Sequence, residues 1–218
     1  NISARVADVI FTSQSSLQNA QSFYNNVKGR TDTFGRTRDD ILIMPGALLF
    51  MADTETEAKE KFDQLNSLIP LRVAMQRLSA NLGGVDLSKY DLDAPLPDIP
   101  TNNARVSAVE SYITLARREG LTLRQVAMRS AAAKHHWTLI GSVKQIADEL
   151  EAWFLEHGAD GFNILPSDVP GSYIDVVNKL VPELQRRGLF HTEYEGKTLR
   201  ENLGLRRPPD LSTRKGLR

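Results

Sequence analysis

Two hydrophobic periods alternate along this chain. Short apolar runs of strand type are followed by stretches in which apolar residues recur every three or four positions, as on one face of a helix. Residues 7–12, Ala7-Asp8-Val9-Ile10-Phe11-Thr12, form the first run. Ser13 to Ser16 then offer helix-capping hydroxyls, with Gln18 in capping-box spacing after Ser15, and Leu17, Ala20, Tyr24 and Val27 follow at helical spacing. A second run, Ile41-Leu42-Ile43-Met44, is expected to stop at Pro45-Gly46. After Ala47 to Ala52, Thr54 with Glu57 opens a helix bearing Ala58, Phe62, Leu65 and Ile69. A third unit has Ser142 with Gln145 as its cap and Val143, Ile146, Ala147, Leu150, Trp153 and Phe154 as one apolar stripe. That helix is expected to end at Gly158, ahead of a strand at 161–165 and a last helix over about 172–187.

Strands alternating with helices of this length imply βα units and a parallel sheet, because parallel strands need a crossover connection. Three such strands neither close a barrel nor cover their own edges. The pattern therefore predicts an α/β chain that is the C-terminal part of a larger barrel. Its expected divisions are two βα units over 1–69, an insertion or lid region over 70–140, the last βα unit over 141–190 and a C-terminal tail over 191–218. Within the insertion, Asp91 to Pro100 is rich in Pro and Asp and should be extended, followed by helices near 105–119 and from Thr122, capped by Gln125, to about Ala133. An insertion of this length reads as a lid or a partner-contact element. Arg206, Arg207, Arg214, Lys215 and Arg218 around Pro208-Pro209 read as an exposed arm.

Composition narrows the class. Lys plus Arg and Asp plus Glu number 27 each, so the formal net charge is zero, which argues against a nucleic-acid or anionic-membrane partner. With 41% hydrophobic and 25% charged residues the chain can bury a core. Cysteine is absent, which removes disulfides, thiolate catalysis and sulfur-ligated metals and fits a reducing cytoplasm. No stretch approaches a membrane span, and the opening residues lack signal-peptide grammar. The first residue is Asn, and the apolar pattern is under way by Val6, so an upstream segment is expected to be absent.

In parallel barrels chemistry gathers in loops at the carboxyl ends of the strands. That singles out Thr12 to Ser16, Pro45 to Leu48 and Pro166 to Ser172. Thr12 and Ser13, ahead of a helix N-terminus, suit either a phosphate contact or plain capping. His136, in the segment Lys134-His135-His136-Trp137, could donate a proton or contact a ring heteroatom, or could simply be satisfied by backbone. Asn163 and Asp168 could meet a ligand or serve packing and turn chemistry. No metal-ligand spacing and no nucleotide or hydrolase fingerprint is present. These readings yield a fold and no reaction.

The residues do match a known pattern. Ala7 to Thr12, Met44-Pro45-Gly46, Asn81-Leu82-Gly83-Gly84-Val85-Asp86-Leu87-Ser88 and Tyr90 to Pro97 come in the expected order. Gly141 to Asp148, Gly158 to Ile164 and Val181 to Phe190, followed by Thr192 to Gly196, complete it. Together they resemble the flavin-dependent monooxygenases of the bacterial-luciferase-like superfamily, within it the nitrilotriacetate monooxygenase component A group. The resemblance implies a TIM (β/α)8 barrel of which this chain supplies the last three βα units, with 70–140 as an insertion near the active site. It implies reduced FMN delivered by a separate flavin reductase, molecular oxygen as co-substrate, a flavin C4a-hydroperoxide and a small organic substrate. It also implies a cytoplasmic homo-oligomer, with most flavin contacts upstream of this chain. One family position carries over, a histidine ahead of a short apolar run and a helix start, and it falls on His136. The cap Ser142-Val143-Lys144 lacks the proline usual at that helix start. Ala131-Ala132-Ala133-Lys134-His135 stands where relatives tend to be glycine-rich. Two alternatives stay open: a deazaflavin-dependent oxidoreductase of the same superfamily, and a non-catalytic half-barrel fragment or assembly module.

Overall fold

Which face of each strand is buried follows from the alternation of its side chains, and here one face is covered far more completely than the other. The computed structural model describes residues 2–98, 106–133 and 136–207. A short helix α1 (Ile2–Val6) leads into β1 (Val9–Thr12) and α2 (Leu17–Lys28), then β2 (Leu42–Ala52) and α3 (Glu55–Ser67). Three helices follow, α4 (Leu71–Asn81), α5 (Val106–Glu119) and α6 (Leu123–Ala133). The chain then forms β3 (Trp137–Ser142), α7 (Val143–Leu155) and β4 (Asn163–Pro166). A helical run closes this part as α8 (Gly171–Asp175), a π-helical turn (Val176–Leu180) and α9 (Val181–Arg186), before a last short α10 (Leu199–Asn202).

All four strands are parallel, and β2 is their centre. Its first half pairs with β1, from Val9 opposite Leu42 to Thr12 opposite Pro45. Its second half pairs with β3, from Ala47 opposite Trp137 to Ala52 opposite Ser142. β4 pairs Gly46 to Leu49 with Asn163 to Pro166. The Leu42 N–H donates to the Asp8 carbonyl on the β1 side, whereas Ile43 bonds through both its N–H and its carbonyl to Asp160, just ahead of β4. β1 and β4 therefore flank opposite edges. Because β3 and β4 both pair residues 47–49, β3 follows β1 along one edge while β4 occupies the other.

This corrects two expectations. The second strand does not stop at Pro45-Gly46 but runs eleven residues, and the apolar segment before Ser142 is a fourth strand, which the sequence pattern had not separated. Pro45 is tolerated because it lies where the β1 ladder ends and neither of the other two has begun, so its missing N–H falls between ladders. Residues 45–48 are consequently strand, not loop.

On one face Ile10, Ile41 and Ile43 pack on Phe23, Tyr24 and Val27 of α2. Further along, Ala47, Leu49, Met51, Trp137, Leu139 and Ile164 pack against α2, α7 and the last helical run. Trp137 stacks on Trp153 of α7 at 3.9 Å and 14° between planes. The expected caps at Thr54, Thr122 and Ser142 form as reciprocal pairs with Glu57, Gln125 and Gln145. At α2 the cap is Ser16, accepting from Asn19, rather than Ser15 with Gln18. α7 ends at Leu155, three residues before Gly158, and His157 takes the left-handed conformation at φ 59°. The last helix carries a π turn because Pro182 has no N–H for a regular i→i−4 bond. The Val181 N–H reaches back to the Val176 carbonyl instead.

The helices between β2 and β3 make a second core of their own: Ala74, Leu78 and Leu82 of α4 and its end, Val109, Tyr112 and Ala116 of α5, and Leu123, Val126 and Ala127 of α6. α4 had not been anticipated, for it starts at Pro70 with no side-chain cap, and a search led by capping boxes passes over it. Asp91 to Asp98 lies against the start of α6: the Leu123 and Arg124 N–H groups donate to the Ala94 and Leu92 carbonyls, and Arg124 grips Asp93 at 2.8 and 3.1 Å. The expected helix start at Arg105 and residues 99–100 lie outside the described residues. Of the basic arm, Arg206 pairs with Asp40 at 2.6 Å, and ahead of the arm Arg200 pairs with Asp8. Residues 208–218 lie outside the described residues.

Candidate active site

Gly46 is the position at which β2 changes partners, and the side chains with chemical potential gather round it. By register, Asn163 stands opposite Gly46 on one edge. On the other edge His136 precedes Trp137, whose partner is Ala47. Trp137 points into the helix-covered core, so alternation turns His136 to the opposite face. There the imidazole lies beside the Phe11 ring, with centroids 5.5 Å apart, and its Nδ1 is out of solvent. Asn163 donates from Nδ2 to the Met44 carbonyl at 3.1 Å.

Val9, Phe11, Leu42, Met44 and Leu165 share this second face by the same alternation. Phe11 is 55% exposed and Val9 39%, unusual for apolar strand residues in a parallel sheet. Only toward the end of β2 is the face covered, where Phe50 meets Phe62 of α3 edge-on at 4.8 Å. The result is a largely apolar surface with one imidazole and one amide, at the carboxyl end of β1.

The other sequence-predicted residues sit apart from this centre. Thr12 shares the helix-covered side with Ile10, and its hydroxyl accepts from Gln14 at 2.9 Å. Ser13 is exposed ahead of α2. Asp168, in the loop after β4, pairs with Lys61 of α3 at 3.0 Å and accepts from the Ser167 hydroxyl and the Ser172 N–H. Partial burial raises its pKa. The hydrogen bonds from Lys61 and Ser167 outweigh that and hold the carboxyl below its ordinary value. It is thus a charged structural tie between α3 and the loop. His135 lies outside the described residues.

A buried polar junction beneath the site was not read from the sequence. Asp160 accepts from Lys28 Nζ at 2.7 Å and from the Tyr24 hydroxyl at 2.8 Å, while its second oxygen accepts from the Ile43 N–H at 2.7 Å. Lys28 is only 3% exposed. Burial first, then the hydrogen bond to Asp160, pushes the Tyr24 hydroxyl pKa above its usual value, so it stays a donor. The junction joins α2, β2 and the approach to β4, and it sets where Asn163 enters the sheet. Helical spacing from Tyr24 to Lys28 was visible; the partner 132 positions away was not.

Among the described residues no group of histidine and carboxylate side chains could hold a metal ion, and no helix is long and apolar enough to cross a membrane. A family model for luciferase-like monooxygenases matches residues 1–161. Nitrilotriacetate monooxygenase component A of Aminobacter aminovorans is 48% identical over 208 residues, 95% of this chain and 46% of that protein. The crystal structure of DmoA from Hyphomicrobium sulfonivorans superimposes with a TM-score of 0.79 at 27% identity, over 93% of this chain and 42% of that one. The structure of riboflavin lyase (RcaE) with modified FMN and riboflavin does so with a TM-score of 0.71 at 25% identity, over 93% and 44%. The chain thus spans about half the length of the relatives it matches. A parallel α/β sheet with a histidine and an apolar face level with the carboxyl end of β1, and likeness to these proteins along nearly the whole chain, lead to one conclusion: the chain belongs to the luciferase-like monooxygenase family.

Proposed function

We propose that this chain is the C-terminal part of a TIM-barrel monooxygenase that takes reduced FMN from a separate flavin reductase and molecular oxygen as co-substrate, and oxygenates a small organic molecule. The observation that carries the reading is the seat of His136, beside Phe11 on the uncovered sheet face and level with the carboxyl end of β1. Family membership supports it, as does the modified FMN held by riboflavin lyase. The residues present fit a flavin in kind: Phe11, Met44 and Leu165 offer an apolar surface suited to an aromatic ring system. Exposed Ser13 is better placed than Thr12 to meet an anion.

When bound, the flavin supplies the activation of oxygen, which no amino-acid side chain provides. The protein's own part is different. Phe11, Met44 and Leu165 exclude water, Asn163 orients a polar group, and His136 holds a proton at an imidazole nitrogen or accepts one. The helices from 71 to 133 would serve as the lid that keeps the pocket dry.

The test uses the protein carrying this chain, supplied with FMN, NADH and a flavin reductase. Oxygen uptake should couple to oxygenated product, and His136→Phe should uncouple the two with the fold intact. Absence of both flavin binding and product would overturn the reading. A second reading, an assembly module without a flavin site of its own, is favoured by the exposure of Val9 and Phe11. FMN titration of this chain alone separates them, because micromolar quenching of flavin fluorescence sinks the second.

A further inference from the structure

Gly46 stands in the middle of an eleven-residue strand, where glycine weakens a sheet unless something approaches the backbone closely. Its φ is not among the positive values of the described glycines, so the backbone places no demand for glycine there. Space does. A Cβ at this position would lie 2.6 Å from His136 Nδ1, 3.1 Å from His136 Cε1 and 3.1 Å from Phe11 Cε2. No backbone atom is among these near neighbours; the obstruction is two ring edges on the uncovered face.

We propose that Gly46 is a positioning residue whose missing side chain is the seat of the His136 imidazole, fixing that ring against Phe11 and the β2 backbone. The proposal rests on the reading of His136 as a site residue, and it deepens that reading by naming what holds the ring. Three constraints converge on the seat. Trp137, stacked on Trp153, fixes the backbone next to His136. Alternation then directs the imidazole to the open face, and the bare glycine lets it descend onto β2. A methyl group at 46 would leave Trp137 and the ladders in place and displace only the ends of two side chains, one of which, Phe11, has open solvent to move into.

The experiment is imidazole NMR, which needs no activity. The chain has four histidines, and His136→Gln assigns the signal. In Gly46→Ala the His136 imidazole resonances and their titration midpoint should move, with those of His157 and His191 unchanged. Gly161→Ala is the control, since its added Cβ would meet only the Met44 side chain at 3.4 Å or beyond. Wild-type His136 signals in Gly46→Ala would overturn the proposal. Should Gly46→Ala unfold, the same change in a His136→Ala background decides. A melting temperature equal to that of His136→Ala alone supports the seat, whereas an equal loss in both backgrounds assigns the glycine to the backbone and overturns it. An altered His136 signal in a protein that makes no oxygenated product would break the functional reading and leave the seat standing.

Discussion

The sheet and the helical insertion treat apolar surface in opposite ways. Helices α4, α5 and α6 turn Leu78, Leu82, Val109, Leu123 and Val126 toward one another until each is essentially closed to solvent. Polar side chains in that core satisfy each other: Asn81 donates to the Tyr112 hydroxyl at 3.0 Å, and that hydroxyl donates to Ser130 at 2.9 Å. The sheet seals one face against helices and leaves Val9 and Phe11 on the other in contact with solvent. A helix can bury its stripe against two neighbours close in sequence. Parallel sheets are ordinarily covered on both faces, and among the described residues this one is covered well on one face only. Among the described residues, the insertion buries its apolar stripes within itself, and the sheet buries one face and exposes part of the other.

The largest effect should come from the junction that holds the sheet together. Asp160→Ala would leave Lys28 buried without its counter-charge, and a loss of about 3–5 kcal/mol is expected in denaturant unfolding; a loss under about 1 kcal/mol would show that Lys28 escapes to water. Next, Leu78→Ala should cost about 2–5 kcal/mol by emptying the centre of the insertion core. Hydrogen exchange sharpens the contrast. Faster exchange confined to 71–133 would mark the insertion as its own cooperative unit, and equal acceleration in β2 would merge the two regions. The smallest effect belongs to the open face, where Phe11→Ser should change stability by less than about 0.5 kcal/mol. A larger loss would mean that the face is covered after all.

Much of the architecture was legible because it rests on local rules. The capping pairs at Thr54, Thr122 and Ser142 place three helix starts, and the strand-like runs at 7–12 and 161–165 contain β1 (Val9–Thr12) and most of β4 (Asn163–Pro166). What failed did so for identifiable reasons. Pro45-Gly46 has the grammar of a strand end, and only the exchange of ladder partners at that point lets the strand continue. The segment 137–142 is as apolar as a loop leading to a helix can be, and only pairing with β2 makes it a strand. α4 has apolar residues at 71, 74, 78 and 82 in helical spacing, a signal present but unaccompanied by a cap. Of the site, His136 and Asn163 could be named from sequence. Phe11 read as ordinary strand core, and Gly46 as a turn residue.

By itself the sequence determined the alternation of strand and helix, the parallel sense of the sheet and the family, because each depends on neighbours a few positions apart or on residue types taken in order. Tertiary structure alone decided that β1 and β3 share an edge of β2, that Asp160 meets Lys28, and that an imidazole rests on Gly46. Those contacts join residues some 90 to 130 positions apart, and no local periodicity encodes a distance that long; it is set by which ladders form and which face each strand turns inward.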